Sequence, residues 1–147
     1  MTYLTGSDGY PVARSGRWLL VAWSLFLISG FTLAWNLEPD PRGFGTHQSL
    51  GLPPCTFRAL FGIPCPGCGM TTSFSHLVRG NVAQASRANF AGVVLALVCA
   101  VQIPWCWWSA ARGHLAGVAE PSRWLLVLVS VLGAICVLNW ILRLITG

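Results

Sequence analysis

The chain contains no lysine. All nine of its basic residues are arginine, and only Asp8, Glu38, Asp40 and Glu120 oppose them. Charged residues occupy 9% of the 147 positions, against about 25% in soluble domains. Such a sparse complement cannot cover a water-facing surface, which excludes an ordinary soluble domain. No basic run occurs, so the net charge of +5 does not make a nucleic-acid surface, and no nucleic-acid partner is expected. A glycine-rich phosphate loop and the paired histidines of a metalloprotease helix are also missing. No acid falls inside an apolar stretch, which argues against an intramembrane proton or ion path.

What is there is apolar. Hydrophobic residues make up 54% of the chain. Three uncharged stretches stand out, at about 18–37, 90–108 and 124–142. Each has close to the ~20 residues that a helix needs to cross ~30 Å of hydrocarbon. Tryptophans bracket them: Trp18 and Trp35, then Trp105, Trp107 and Trp108, then Trp124 and Trp140. Indole prefers the head-group level, so these are the expected anchors. The arginines read as flanks of the spans. The first stretch is too long for a signal-peptide core and lacks a small-x-small cleavage site, so it is expected to stay as a helix.

The expected architecture is therefore an all-α integral membrane protein. It has three transmembrane helices and a short interfacial amphipathic helix in the first connection. Residues 1–17 are expected to form a flexible tail, and 18–147 a single membrane domain with a Cys-bearing connection at 38–89. The short flanks carry Arg14 and Arg17, then Arg112 and Arg123 against Glu120. Short flanks weigh more than long loops, which favours a cytoplasmic N-terminus and an outward-facing long connection. Within the spans, Pro104 is expected to kink or end the second helix. Gln102 and Asn139 lie at different depths. Each is expected to make a local or cross-helix hydrogen bond, Asn139 towards the face that holds the long connection. Cys99, Cys106 and Cys136 are expected to pack as small hydrophobes.

The long connection begins irregularly, rich in Pro and Gly from Asn36 to Pro54. It then becomes patterned. Met70, Phe74, Leu77 and Val78 recur at helical spacing, with Thr71, Thr72, Ser73, Ser75 and His76 on the other face. That predicts a short amphipathic helix from about Gly67 to Val78, closed by Gly80. Asn81 can cap a further helix that runs into the second span.

Cys65-Pro66-Gly67-Cys68 precedes the short helix, with Cys55 ten residues before Cys65. A cysteine near a helix start meets unpaired N–H groups that stabilise a thiolate. This makes Cys68 the expected nucleophile, Cys65 the resolving thiol and Cys55 an alternate disulfide partner. The same tight turn suits a metal, with Cys55, Cys65, Cys68 and His76 as the candidate ligands and zinc as the metal. A purely architectural turn is the third reading. Elsewhere, Glu38 and Asp40 form a candidate acid/base or cation-binding pair. Arg58, Arg79 and Arg87 are candidates to hold a lipid phosphate. The bilayer is the expected partner, and three helices that bury little leave room for another membrane protein.

From Cys55 to Asn89 the chain resembles a family of small bacterial membrane proteins, domain-of-unknown-function family 2752. The resemblance rests on Cys55, on Phe61-Gly62-Ile63-Pro64-Cys65-Pro66-Gly67-Cys68-Gly69-Met70-Thr71-Thr72, and on Gly80-Asn81, Ala85 and Asn89. The family commonly has Arg where this chain has Thr72. The resemblance implies a few-helix membrane protein, with Cys55, Cys65 and Cys68 as shared positions, and the bacterial inner membrane is the expected location. It implies no reaction.

Overall fold

The computed structural model describes residues 9–146. Residues 1–8 of the expected tail lie outside them. Five helices and a two-stranded pairing make up the described chain: β1 (Tyr10–Pro11), α1 (Arg14–Asn36), α2 (Thr56–Phe61), α3 (Met70–Val78), α4 (Val82–Arg112), β2 (His114–Leu115) and α5 (Pro121–Thr146). A 3-10 turn at Thr46–Leu50 lies in the long connection.

Three helices, α1, α4 and α5, are long and apolar enough to cross a membrane. At ~1.5 Å per residue, their 23, 31 and 26 residues are enough to cross a ~30 Å core. The protein is thus an all-α, multi-pass membrane protein. Each helix starts several residues before its uncharged stretch, because arginines are good helix formers and remain helical at the head-group level. The chain is tied down before α1, where β1 pairs antiparallel with β2, Tyr10 opposite Leu115. Tyr10 N–H also donates to Val118 O (2.8 Å), and Val12 N–H to Gly113 O (2.8 Å). Residues 10–17 are therefore ordered rather than tail.

The interior is small and polar, the exterior large and apolar. The largest fully buried side chains are Asn89, Thr72, Cys106, Ser24, Ser73, Ser75 and Ser109. Leucines and tryptophans of all three long helices face outwards. In lipid this is the favourable sense, since small residues let helices approach closely and polar ones bond across the interface. Short α3 follows the same logic. Its polar residues Thr72, Ser73 and Ser75 turn inwards, where α3 packs mainly on α4 and also on α1. Ser75 Oγ donates to Ala34 O (3.0 Å) and Leu37 O, and Arg79 Nη1 donates to Ala34 O (3.1 Å), so the last carbonyls of α1 are satisfied from α3.

The second span departs from expectation. Pro104 neither ends nor breaks α4, which keeps helical dihedrals through to Arg112. The break lies at Asn89 instead, with φ −166° and ψ 109°. Its side chain then caps the onward helix, Oδ1 accepting from Gly92 N–H (3.1 Å), as an N-cap residue does. The residues before it form the expected short helix, although Asn81 makes no side-chain cap. The final helix, α5, buries none of its residues.

Two glycines test how tightly the cap is built. Gly69 has φ +83°, and an added Cβ would lie 2.6 Å from Ala88 O and 2.7 Å from Gly43 O. Gly80 has φ +79° with open space around it. Gly80→Ala should cost about 1–2 kcal/mol, the left-handed penalty alone. Gly69→Ala should cost at least about 2 kcal/mol more, because backbone atoms cannot move aside. Thermal unfolding of the two variants in one detergent will rank them.

Candidate functional site: the cysteine box and its clasp

The box is held by three elements. Cys55 stands at the N-cap of α2, which ends at Gly62 with φ +69°. Ile63 and Pro64 lead into two successive turns, Cys68 N–H donating to Cys65 O and Met70 N–H to Gly67 O, both 3.0 Å. Gly69 then caps α3. Proline and glycine are what such turns require, yet they leave carbonyls with no helix or sheet partner.

Those carbonyls are taken up by side chains from α4 and α5. Asn89 Nδ2 donates to Pro66 O (3.3 Å) and Cys68 O (3.1 Å). Trp140 Nε1 donates to Pro64 O (2.7 Å), and Arg143 Nη1 to Cys68 O (2.8 Å). Cys136 Sγ points at Pro66 O from 3.8 Å. Asn139 Nδ2 donates to Asn89 Oδ1 (3.0 Å), joining the two helices directly. Cys136, Asn139, Trp140 and Arg143 follow i, i+3, i+4, i+7 spacing, one face of α5. Ser73 Oγ completes the set, donating to Asn89 O (2.9 Å). Asn89 thus bonds the box, α3, α5 and its own helix at once.

The thiols are differentiated. Arg58 N–H donates to the Cys55 sulfur and, with a hydrogen bond from the Cys65 thiol, holds the Cys55 thiol below its ordinary range despite burial. Cys65 is pushed up, by burial first and then by its bond and charge contact with Cys55. The two thiols are thus neighbours, and each shifts the other. Cys68 is 7% exposed and lies one residue before the α3 cap rather than in the first helical turn. Cys65 lies beside both Cys55 and Cys68, with the stronger interaction to Cys55. No disulfide joins any of the six cysteines in this structure.

The metal set is not assembled. Among the described residues no three His, Cys, Asp or Glu side chains converge to hold an ion, so Cys55, Cys65, Cys68 and His76 are not gathered as ligands. His76 lies on α3 with Nδ1 buried and without a partner. Burial and then the Arg79 charge push its pKa down. Asp40 is engaged by Arg42, Nη2 to Oδ2 at 2.6 Å. Hydrogen bonds from the Arg42 side chain and backbone lower its pKa to about 2. It is a fixed carboxylate rather than half of an acid/base pair with Glu38. Arg79 spends its donors on Ala34 O, Ser75 and Trp35 O, so it is not free for a lipid phosphate. Arg58 stacks 3.7 Å from the Phe44 ring centroid, and Arg87 is exposed. Thr72, where the family commonly has Arg, is fully buried and bonded to Thr46 Oγ1 (2.8 Å).

Sequence reasoning placed Asn139 towards the side that holds the long connection and expected a local or a cross-helix bond; the structure has the cross-helix one. It read Trp140 as an interfacial anchor and Arg143, one residue beyond the expected end of the span, as a flank, and missed both as clasps. The signal available was the four-residue polar stripe on α5. Gln102 meets Trp23, whose Nε1 donates to Oε1 at 3.2 Å.

Fold and site together define a small multi-pass helical membrane protein that carries a clasped thiol box beside its spans. Residues 55–103, a third of the chain, match the family described as Protein of unknown function (DUF2752), and the resemblance read from the box stands. No curated protein and no solved structure matches the chain.

Asn89→Ala should destabilise the protein by about 2 kcal/mol, the loss of a cap plus its cross-element bonds. It should also make Cys68 alkylate faster. Asn139→Ala, which removes one bond, should cost under about 1 kcal/mol. Unfolding curves and site-resolved alkylation by mass spectrometry check both. In a pH series, Cys55 should react with iodoacetamide at lower pH than Cys65, since only the thiolate attacks.

Proposed function

We propose that this is a bacterial inner-membrane protein that performs thiol–disulfide exchange at the membrane surface through Cys55 and Cys65. The Cys55 thiolate attacks a disulfide of a partner protein, forming a mixed disulfide and releasing one partner thiolate, which takes up a proton. Cys65 then gives up its proton and attacks the Cys55 sulfur. The second partner thiol leaves, and a Cys55–Cys65 disulfide remains. Two electrons pass from the pair to the partner, and the reverse sequence makes the oxidised pair an oxidant. Cys68 stands behind them as the third thiol of the box.

The observation that carries this reading is the placement of Cys55, at the start of α2, beside Cys65; hydrogen bonds lower the first thiol and burial raises the second. Exchange favours such an asymmetric pair, with one thiol ionised for attack and its partner held protonated until needed. The arginines of the short flanks favour a cytoplasmic N-terminus. The box then faces the oxidising side, where disulfides persist.

A second reading rests on a different observation, the clasp from α5. In it the box is a structural hub of a non-enzymatic scaffold or accessory subunit, and its thiols serve packing or hold a structural metal. The readings separate experimentally. Intact mass with thiol alkylation, across glutathione buffers, should show a species lighter by ~2 Da with Cys55 and Cys65 protected. It should convert at a potential above about −300 mV and persist in Cys68→Ser. Free alkylation of all three thiols at every potential sinks the exchange reading. Protection released by chelator instead of reductant does the same and leaves a metal-stapled hub.

A further inference from the structure

The end of the molecule opposite the box carries a groove of about 540 Å³ between the first turns of α1 and the last turns of α4. That volume falls within the ~300–1,000 Å³ of small-molecule sites. Arg14, Arg17 and Trp18 line its mouth, and Val21, Trp107 and Ala111 its wall. We propose that it binds one anionic glycerophospholipid. The phosphate sits against Arg14 and Arg17, and an acyl chain runs along Val21, Trp107 and Ala111.

Three observations converge on that ligand. The first is charge. Among the described residues the one ion pair is Arg42–Asp40, so no described carboxylate neutralises Arg14 or Arg17. Two cations at a membrane interface favour an anionic head group, and a basic pocket between spans is a recurrent form of such sites. A zwitterionic head group would bring a cation of its own to them. The second is the wall, which is almost wholly apolar below the two guanidinium groups. It suits a hydrocarbon chain and offers nothing to a sugar or a base. The third is placement. The Arg17 guanidinium lies on the bare face of Gly113, where a Cβ would be 2.1 Å from Nη2, and Gly113 has φ +77°. Arg17 is thus seated by a close approach that only glycine permits, unlike a flanking arginine that sweeps the interface. The pinning of β1 to β2 holds the same turn in place.

The test is native mass spectrometry of the full chain in detergent, titrated with phosphatidylglycerol or phosphatidylcholine of matched chains. One phosphatidylglycerol per chain should be retained, with about tenfold or greater preference over phosphatidylcholine. Arg14→Gln with Arg17→Gln should bring the two lipids to similar affinity. Ala111→Phe, at an exposed position, should fill the groove and weaken phosphatidylglycerol at least about fivefold with both charges intact. Circular dichroism of each variant confirms folding. Equal retention of both lipids by the parent chain overturns the proposal. So does unchanged retention in the double variant or in Ala111→Phe. Complete displacement by excess inorganic phosphate overturns it too, since the ligand would then be a small anion.

Discussion

At the ends of the spans, Pro64, Pro66 and Cys68 present backbone carbonyls that side chains from α4 and α5 take up. Most of the cap is arranged around that constraint. Asn89 interrupts α4 so that its amide can reach two of the three carbonyls, and the interruption creates new orphan groups of its own. The same side chain covers one of these at Gly92, and Ser73 covers the Asn89 carbonyl. A broken helix in a membrane survives only where such groups are re-satisfied inside the protein. Here the break and the loop beside it complete each other, so neither would be tolerable alone.

The same accounting explains why the interior is polar. Burying apolar surface gains little where the solvent is itself hydrocarbon. Serine, threonine and asparagine then hold the helices, while alanine and glycine let them come close enough for short bonds to form. Gly92 shows this, since a Cβ there would lie 3.0 Å from the Ser73 side chain. Arg79 extends the pattern by closing the end of α1, where its charge also suits the negative end of the helix dipole.

The three spans were legible because lipid-facing helices announce themselves by length, lack of charge and terminal tryptophans. The short helix was legible too, but the environment of its polar face was not. In water that face would be the outer one, and only the neighbours α1 and α4 make it an interior. The breakpoint of the second span was hidden because a proline carries an obvious signature, and an asparagine that bonds four partners does not. The nearness of Cys55 to Cys65 was hidden for a related reason. Cys65 and Cys68 are close in sequence, while Cys55 reaches Cys65 only because α2 folds back at Gly62. Arg143 looked like a flank and turned out to donate to Cys68 O.

The attachment of α5 bears on the order in which the chain is made. None of its residues is buried, and its polar links to the box all come from its second half. It follows α1, α3 and α4 in the chain and is therefore synthesised after them. Until it docks, Pro64 O lacks its donor and Cys68 O lacks one of two. The box therefore passes through a stage in biogenesis when α1, α3 and α4 are in place and its cysteines are less sheltered than in the finished protein. Whatever oxidises, metallates or joins those thiols has an interval for doing so that closes when α5 docks.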